Sequence, residues 1–263
     1  MDEGHERSED VASEGGFGTL VAAEIPGLYR YALSIVGDRD RAEDLVSDTV
    51  VRAIERCGQY RAQASLRTWL HRILYHLAID RSRHESHEMS VDSVEASWRD
   101  ERYSVDPAVV LERAQSAKAL REALVHMPEG HRSVLVLHDA EGWPSSEIAD
   151  MLGISLSAAK QRLRRGRMML VSALAKGEER RVANRGVPLS CWEARKQVSS
   201  YLDDELGPDE RALLESHLGR CATCPPLYQA LVGATASLGA LRDPDSVIPA
   251  EVAERVRDRT GLR

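Results

Sequence analysis

Ala42, Leu45, Val46, Thr49, Val50, Ala53 and Ile54 recur in an i, i+3, i+4, i+7 pattern, the stripe of a helix that lies on a core. The opposite face carries Asp44, Asp48, Val51, Arg52 and Glu55. Leu66, Leu70, Ile73 and Leu77 mark a second helix after the polar turn Tyr60 to Ser65. From Glu85 to Asp106 the periodicity fails and polar residues with scattered acids replace it, which predicts a flexible tether. Helical pattern resumes at Pro107 and runs to Lys176, broken at Met127-Pro128-Glu129-Gly130 and at Glu141-Gly142-Trp143-Pro144. Gly177 to Pro188 reads as a second linker. Gly207-Pro208 opens a further helix, with Asp209 and Glu210 beside its positive end. Leu227, Leu231, Ala234, Leu238 and Leu241 then form an apolar seam that needs a partner surface. The chain is therefore predicted to be all-α. Residues 1–24 form a disordered or partly ordered segment, 25–84 and 107–176 two helical domains joined by the linker 85–106, and 189–242 a small helical domain after the linker 177–188. Residues 243–263 form a tail.

A length of 263 residues suits two or three such units. Charge is plentiful, and a single Phe in the whole chain favours helices packed by Leu, Ala and Val over a sheet sandwich. No apolar run approaches the ~20 residues that span a bilayer, and the acidic start lacks the order of a secretion signal, so no membrane is expected and the location is predicted to be cytoplasmic. Thiols stay reduced there, which makes a cysteine cluster a metal site or redox switch in preference to a disulfide. Cys57, alone in a helical stretch, reads as a small buried hydrophobe. The net charge of -7 argues against indiscriminate polyanion binding. Acids gather near the start and in Glu85 to Asp106, however, while bases gather in Arg61 to Arg83 and Lys160 to Arg167. That segregation points to local basic surfaces and to nucleic acid.

Cys191, His217, Cys221 and Cys224 read C-x25-H-x3-C-x2-C, four ligands spaced for one tetrahedral Zn2+. A helix running into His217 places Cys221 one turn further on the same side, and the two-residue gap to Cys224 folds back as a knuckle. With all four positions filled by protein, the zinc is structural, and its three thiols leave it open to oxidation. A metallohydrolase would need a vacant coordination position and a nearby general base, and Glu215 lies elsewhere on the helix.

Between Ser145 and Leu170 a Ser-capped short helix, a turn at Gly153 and a second helix capped by Ser155 follow one another. In the second helix Ala159, Leu163, Gly166 and Leu170 face inward, while Ser157, Lys160, Gln161, Arg164 and Arg165 fall largely on the other side. A basic, hydrogen-bonding face on the second of two such helices has the geometry that enters a major groove. A basic helix alone is more often a solvated face packed on a bundle; the turn and the preceding helix reverse that preference in favour of DNA.

DRAEDLVSDTVVRAIE at 40–55, SLRTWLHRILYHLAIDRSR at 65–83 and the segment 127–170 together resemble the sigma factors of bacterial RNA polymerase, in the extracytoplasmic-function group. Residues 191–224 resemble the zinc-binding anti-sigma domain. The resemblance implies that Asp44, Asp48, Val51 and Arg52 dock on the clamp helices of the polymerase largest subunit. It implies that residues 61–83 open and read the minus-ten promoter element, and that Ser157 to Arg165 read the minus-thirty-five element as duplex. Tyr75 and His76, interleaved with Arg67, Arg72, Arg81 and Arg83, suit unstacked bases and a single-strand backbone, whereas Trp69 reads as core. His76 stands where the family usually has Asn, and Ser47 where it often has Gln. The expected protein is thus a promoter-specificity subunit without catalysis of its own, whose zinc domain contacts and regulates the sigma domains in cis. The competing expectation is a zinc- or redox-sensing helix-turn-helix regulator that acts without core polymerase.

Overall fold

Phe17, Val21, Ile25 and Leu28 fall on one side of a helix, and in the computed structural model that side is buried in α1, Glu14–Val36. The structure describes residues 14–62, 64–82, 89–181 and 189–242, with Arg255 and Asp258. Helix α1 begins ahead of the expected boundary at 25, because Phe17 and Val21 give it core contacts that outweigh the helix-weakening Gly15, Gly16 and Gly18. Asp38 caps α2, Arg39–Glu55, through its carboxylate and the Arg41 N–H at 2.9 Å. After a short 3-10 turn at Cys57–Gln59, where Cys57 is only half-buried, α3 runs from Leu66 to Ser82. Leu45, Val46 and Val50 of α2 meet Leu70, Leu74 and Leu77 of α3 in the core with α1. Helices α1–α3 build most of the first of two compact units, to which residues 150–153 also belong.

The second unit contains an element the sequence pattern did not predict. Within the expected tether, Val91–Arg99 forms α4, capped by Ser90, with Val94 and Trp98 buried one turn apart. Tyr103–Val105 then forms β1, which pairs antiparallel with β2, Glu179–Arg181, in the register Tyr103 to Arg181 and Val105 to Glu179. Both expected linkers thus contribute a strand to one ribbon. Between the strands lie α5 (Pro107–Gln115), α6 (Ala117–Val125), α7 (Glu129–Leu135) continuing into a π turn at Val136–Ala140, α8 (Ser145–Leu152) and α9 (Leu156–Leu174). Buried Arg132 donates to the carbonyls of Val125 and Met127 at 2.9 and 2.7 Å, closing the end of α6 ahead of Pro128. Helix α9 packs on α7 across Gly166, where an added Cβ would stand 3.1 Å from the His131 carbonyl oxygen; only glycine permits that approach without a shift.

The remaining helices are α10 (Cys191–Lys196), α11 (Val198–Leu202), α12 (Pro208–Leu218) and α13 (Cys224–Leu238). The seam of Leu227, Leu231, Ala234 and Leu238 is buried, and α13 packs along α5 and α9. The partner surface that the apolar repeat required is therefore within the same unit. Gly233 lets Leu111 of α5 approach, since a Cβ there would lie 3.0 Å from the leucine Cδ1.

Candidate nucleic-acid interface and metal centre

Gly153, at φ +66, reverses the chain between α8 and α9, and the Ser155 hydroxyl accepts from the Ala158 N–H at 3.1 Å to start α9. Ser157 and Gln161 are exposed on the resulting face. The basic residues beside them are engaged. Lys160 pairs with Glu205 at 2.7 Å. Arg164 and Arg165 converge on one carboxylate, Glu95 of α4: Arg165 Nε donates to Oε1 at 2.8 Å and Arg164 Nη2 to the same oxygen at 3.1 Å. Burial pushes the Glu95 pKa up, but the hydrogen bonds and charges of Arg165 and Arg164 outweigh it and leave the group below the usual carboxylate range. Trp192 of α10 lies under two guanidinium groups, with Arg99 5.0 Å and Arg164 5.5 Å from its ring centre. Arg167, at the end of the basic run, is not part of the outer face: it is 3% exposed and bridges Asp139 and Asp203 at 2.7 Å each.

In the first unit Asp44, Asp48 and Val51 are exposed on α2 and Arg52 is half-buried beside them. On α3, His76 and Arg81 are exposed, Arg67 and Arg72 are half-buried, and Arg81 pairs with Asp48. Tyr75 departs from the expectation for a base-stacking ring: it is 8% exposed, because position 75 adjoins the buried stripe of Leu74, Leu77 and Ala78. Trp69 is half-buried against Phe17 and Tyr60, with ring centres 6.2 and 5.4 Å away. Arg83 lies outside the described residues. His71 is buried beside Tyr31, its Nδ1–H directed to the Arg67 carbonyl at 2.8 Å. Burial lowers its pKa to about 4, against the opposing pull of that hydrogen bond.

The four cysteine and histidine positions come together. One ligand atom from each of Cys191, His217, Cys221 and Cys224 lies within 4.8 Å of the others, and all four residues are buried. Ser190 caps α10 and sets Cys191 at its first turn; the Cys221 N–H closes on the His217 carbonyl at 2.9 Å, and Cys224 opens α13. The N–H groups of Thr223 and Cys224 donate to the Cys221 sulfur at 3.4 and 3.3 Å. Cys191 and Cys221 have sulfurs 3.7 Å apart, far beyond a disulfide bond and near the edge of about 3.8 Å that a zinc tetrahedron with sulfur ligands requires. Both ring nitrogens of His217 are buried without a hydrogen-bond partner among the described residues, which leaves one of them available as a ligand.

A second observation concerns charge. Arg195 is fully buried, and its guanidinium donates to the Trp98 and Asp100 carbonyls at 2.6 and 2.8 Å, to the Tyr103 carbonyl at 2.8 Å and to the Thr223 hydroxyl at 3.1 Å. Every one of those acceptors is neutral. A buried cation needs a compensating charge, and three thiolates and an imidazole around a divalent ion leave a net charge of about -1. The donor set and its surroundings therefore fit a metal centre. Arg195, Thr223, Trp98, Trp192 and Glu95 carried no periodic or spacing signal, and only the fold brings them to these sites.

Residues 20–88 match the family described as "Sigma-70 region 2", residues 117–170 "Sigma-70, region 4", and residues 191–224 "Putative zinc-finger". The chain is 32% identical over 141 residues to RNA polymerase sigma factor YlaC of Bacillus subtilis, covering 53% of this chain and 81% of that protein. It is 32% identical over 161 residues to RNA polymerase sigma factor CarQ of Myxococcus xanthus, with 61% and 90% covered. ECF RNA polymerase sigma factor SigL of Mycobacterium tuberculosis is 31% identical over 139 residues, with 52% and 76% covered. The chain is an extracytoplasmic-function sigma factor. In this sigma factor the region 2 match covers α1–α3 and the region 4 match α6–α9, and the zinc-finger match that follows in sequence runs from α10 to Cys224, the first residue of α13. Among the described residues no helix is long and apolar enough to cross a membrane.

Proposed function

We propose that this sigma factor docks on core RNA polymerase through the α2 face of Asp44, Asp48, Val51 and Arg52, on the clamp helices of the largest subunit. Arg67, Arg72, His76, Arg81 and Arg83 then engage the opened minus-ten strand, with Tyr75 supporting α3 from the core side. Ser157, Lys160, Gln161, Arg164 and Arg165 read the minus-thirty-five duplex: Arg and Gln on base edges, Lys and Ser on phosphates. The observation that carries this reading is the succession of region 2 and region 4 matches at 20–88 and 117–170, the second ending on a helix with that polar face. Two readers held on one polymerase select a promoter that neither selects alone.

Cys191, His217, Cys221 and Cys224 hold one Zn2+ in this reading, and the ion supplies folding free energy to α10–α13. The packed block acts in cis on the region 4 helices, with which it shares a unit. Run-off transcription with purified core polymerase tests the proposal, comparing the complete chain with residues 1–185, each with and without a zinc chelator. Promoter-specific transcripts that need the protein are expected. A chain that never associates with core, or associates yet starts no transcript even after the zinc block is removed, overturns it. Sequence-specific duplex binding in the absence of polymerase would assign the protein instead to the helix-turn-helix regulators.

A further inference from the structure

Two arginines of the proposed recognition face of α9, Arg164 and Arg165, are held by a helix that lies outside both sigma-region matches. Glu95 of α4 is 7% exposed, yet carries a carboxylate that takes hydrogen bonds from both Arg164 and Arg165. Arg165 approaches it through two nitrogens, Nε at 2.8 Å and Nη2 at 3.5 Å, the forked contact a guanidinium also makes with a phosphate. The Arg164 guanidinium also lies over the Trp192 ring, 5.5 Å from its centre. Further along the same face, Lys160 is held by Glu205.

We propose that α4 is an intramolecular competitor of promoter DNA, in which Glu95 takes on Arg164 and Arg165 the position of a backbone phosphate. The inference rests on the reading of α9 as the duplex-reading helix. A guanidinium that reads a guanine edge or a phosphate must present its donors outward, and here one carboxylate occupies donors of both arginines. DNA and Glu95 are therefore alternative ligands of the same two side chains. The competitor is anchored at its far end: the Trp98 indole donates to Ser172 of α9 at 3.0 Å, and the Trp98 carbonyl accepts from Arg195 of the metal-bearing block. Release of α4 frees two cations at once, so binding is steeply dependent on salt in the open form and weakly so in the closed one.

The test uses the complete chain and a mixed-sequence DNA duplex, with binding followed by fluorescence anisotropy over a range of salt concentrations. Glu95→Gln keeps the shape of the side chain and removes its charge. It is expected to bind about tenfold more tightly than the wild type near physiological salt, with a log–log salt slope steeper by about 2, close to one for each arginine released. Adding Arg164→Ala and Arg165→Ala to that variant should cancel the gain, which a merely structural ion pair would not predict. If Glu95→Gln binds no better while Arg164→Ala/Arg165→Ala weakens wild-type binding, the competitor is overturned and the reading of α9 stands. If none of these variants alters binding, the reading of α9 falls with it. Hydrogen exchange on the wild-type chain decides the matter should Glu95→Gln fail to fold. Saturating duplex should speed exchange of the amides at 91–99, and unchanged or slower exchange there overturns the proposal.

Discussion

Replacing Arg195 by Met removes a buried charge and four hydrogen bonds while keeping much of the apolar stem. The carbonyls of Trp98, Asp100 and Tyr103 lose the donor that now reaches them at 2.6–2.8 Å, and Thr223 loses its link at 3.1 Å. Each orphaned buried acceptor costs about 1–3 kcal/mol. Solvent will recover part of that sum, and removal of one member of a buried charged network typically costs about 3–5 kcal/mol in total. With a urea dependence of about 2 kcal/mol per molar, a loss near 4 kcal/mol lowers the unfolding midpoint by about 2 M. Burial pushes the Cys191 thiol up, and the Cys221 hydrogen bond with burial pushes up that of Cys224; the Arg195 charge opposes both rises. Zinc affinity, measured by competition with a chromogenic chelator, should therefore fall about 10- to 100-fold, as it does when groups that support metal ligands are removed. Arg195→Lys should restore part of the zinc affinity and little of the stability, because one ammonium cannot span the carbonyls. A midpoint within about 0.5 M of wild type, together with unchanged zinc affinity, would refute the claim that Arg195 joins the metal centre to residues 98–103.

The metal assignment makes its own demand: one Zn2+ per chain should copurify, and Cys221→Ser or a strong chelator should both release it and lower the melting temperature by several degrees, since the binding free energy is folding free energy. A melting curve indifferent to the chelator would remove the four residues as ligands. In the first unit, His71 has a folded pKa of about 4 against 6.5 for the free side chain, chiefly through burial. The unfolded chain therefore binds the proton first, so stability is complete above pH 6.5 and declines as pH falls from there towards 4, by up to about 3 kcal/mol. The proton spectrum should show the His71 ring untitrated until well below pH 6; a midpoint near 6.5 in the folded protein contradicts its burial as a neutral ring.

The stripes of α2 and α3, the Gly153 turn and the metal spacing were legible because each rests on local chemistry: a period, a cap or a ligand interval. What escaped notice depended on partners far away in the chain. Helix α4 has only nine residues and two buried anchors, too few to register as a period among the acids that surround it, and its stability comes from Ser172 and Arg195, 74 and 97 residues away. The three-residue strands of the ribbon were hidden for the same reason, since each is defined by its pairing partner. Phe17 and Val21 fall within the segment 1–24 expected to be disordered or partly ordered, where the neighbouring glycines mask the apolar period of the helix. The basic composition of the α9 face is legible in sequence, but periodicity cannot say what a basic side chain meets, and Glu95 and Glu205 lie 45–70 residues from their partners. Tyr75 illustrates the converse, an aromatic placed among arginines in sequence whose ring the fold turns into the core.

The β1–β2 ribbon sets Arg181 beside Tyr103, and Tyr103 is in turn bound by Arg195 of the metal-bearing block. The stretch that leads into region 4 and the stretch that leaves it are therefore tied at one place, next to the element that shields α9. Opening and closing become a rearrangement inside a single molecule. Doubling the amount of protein doubles both forms and leaves their ratio untouched, unlike an inhibitor made as a separate chain, which is outnumbered once its target is overproduced. If α4 competes with DNA as proposed, a higher gene dose raises the open form only in proportion, and the fraction that is open changes only with its surroundings.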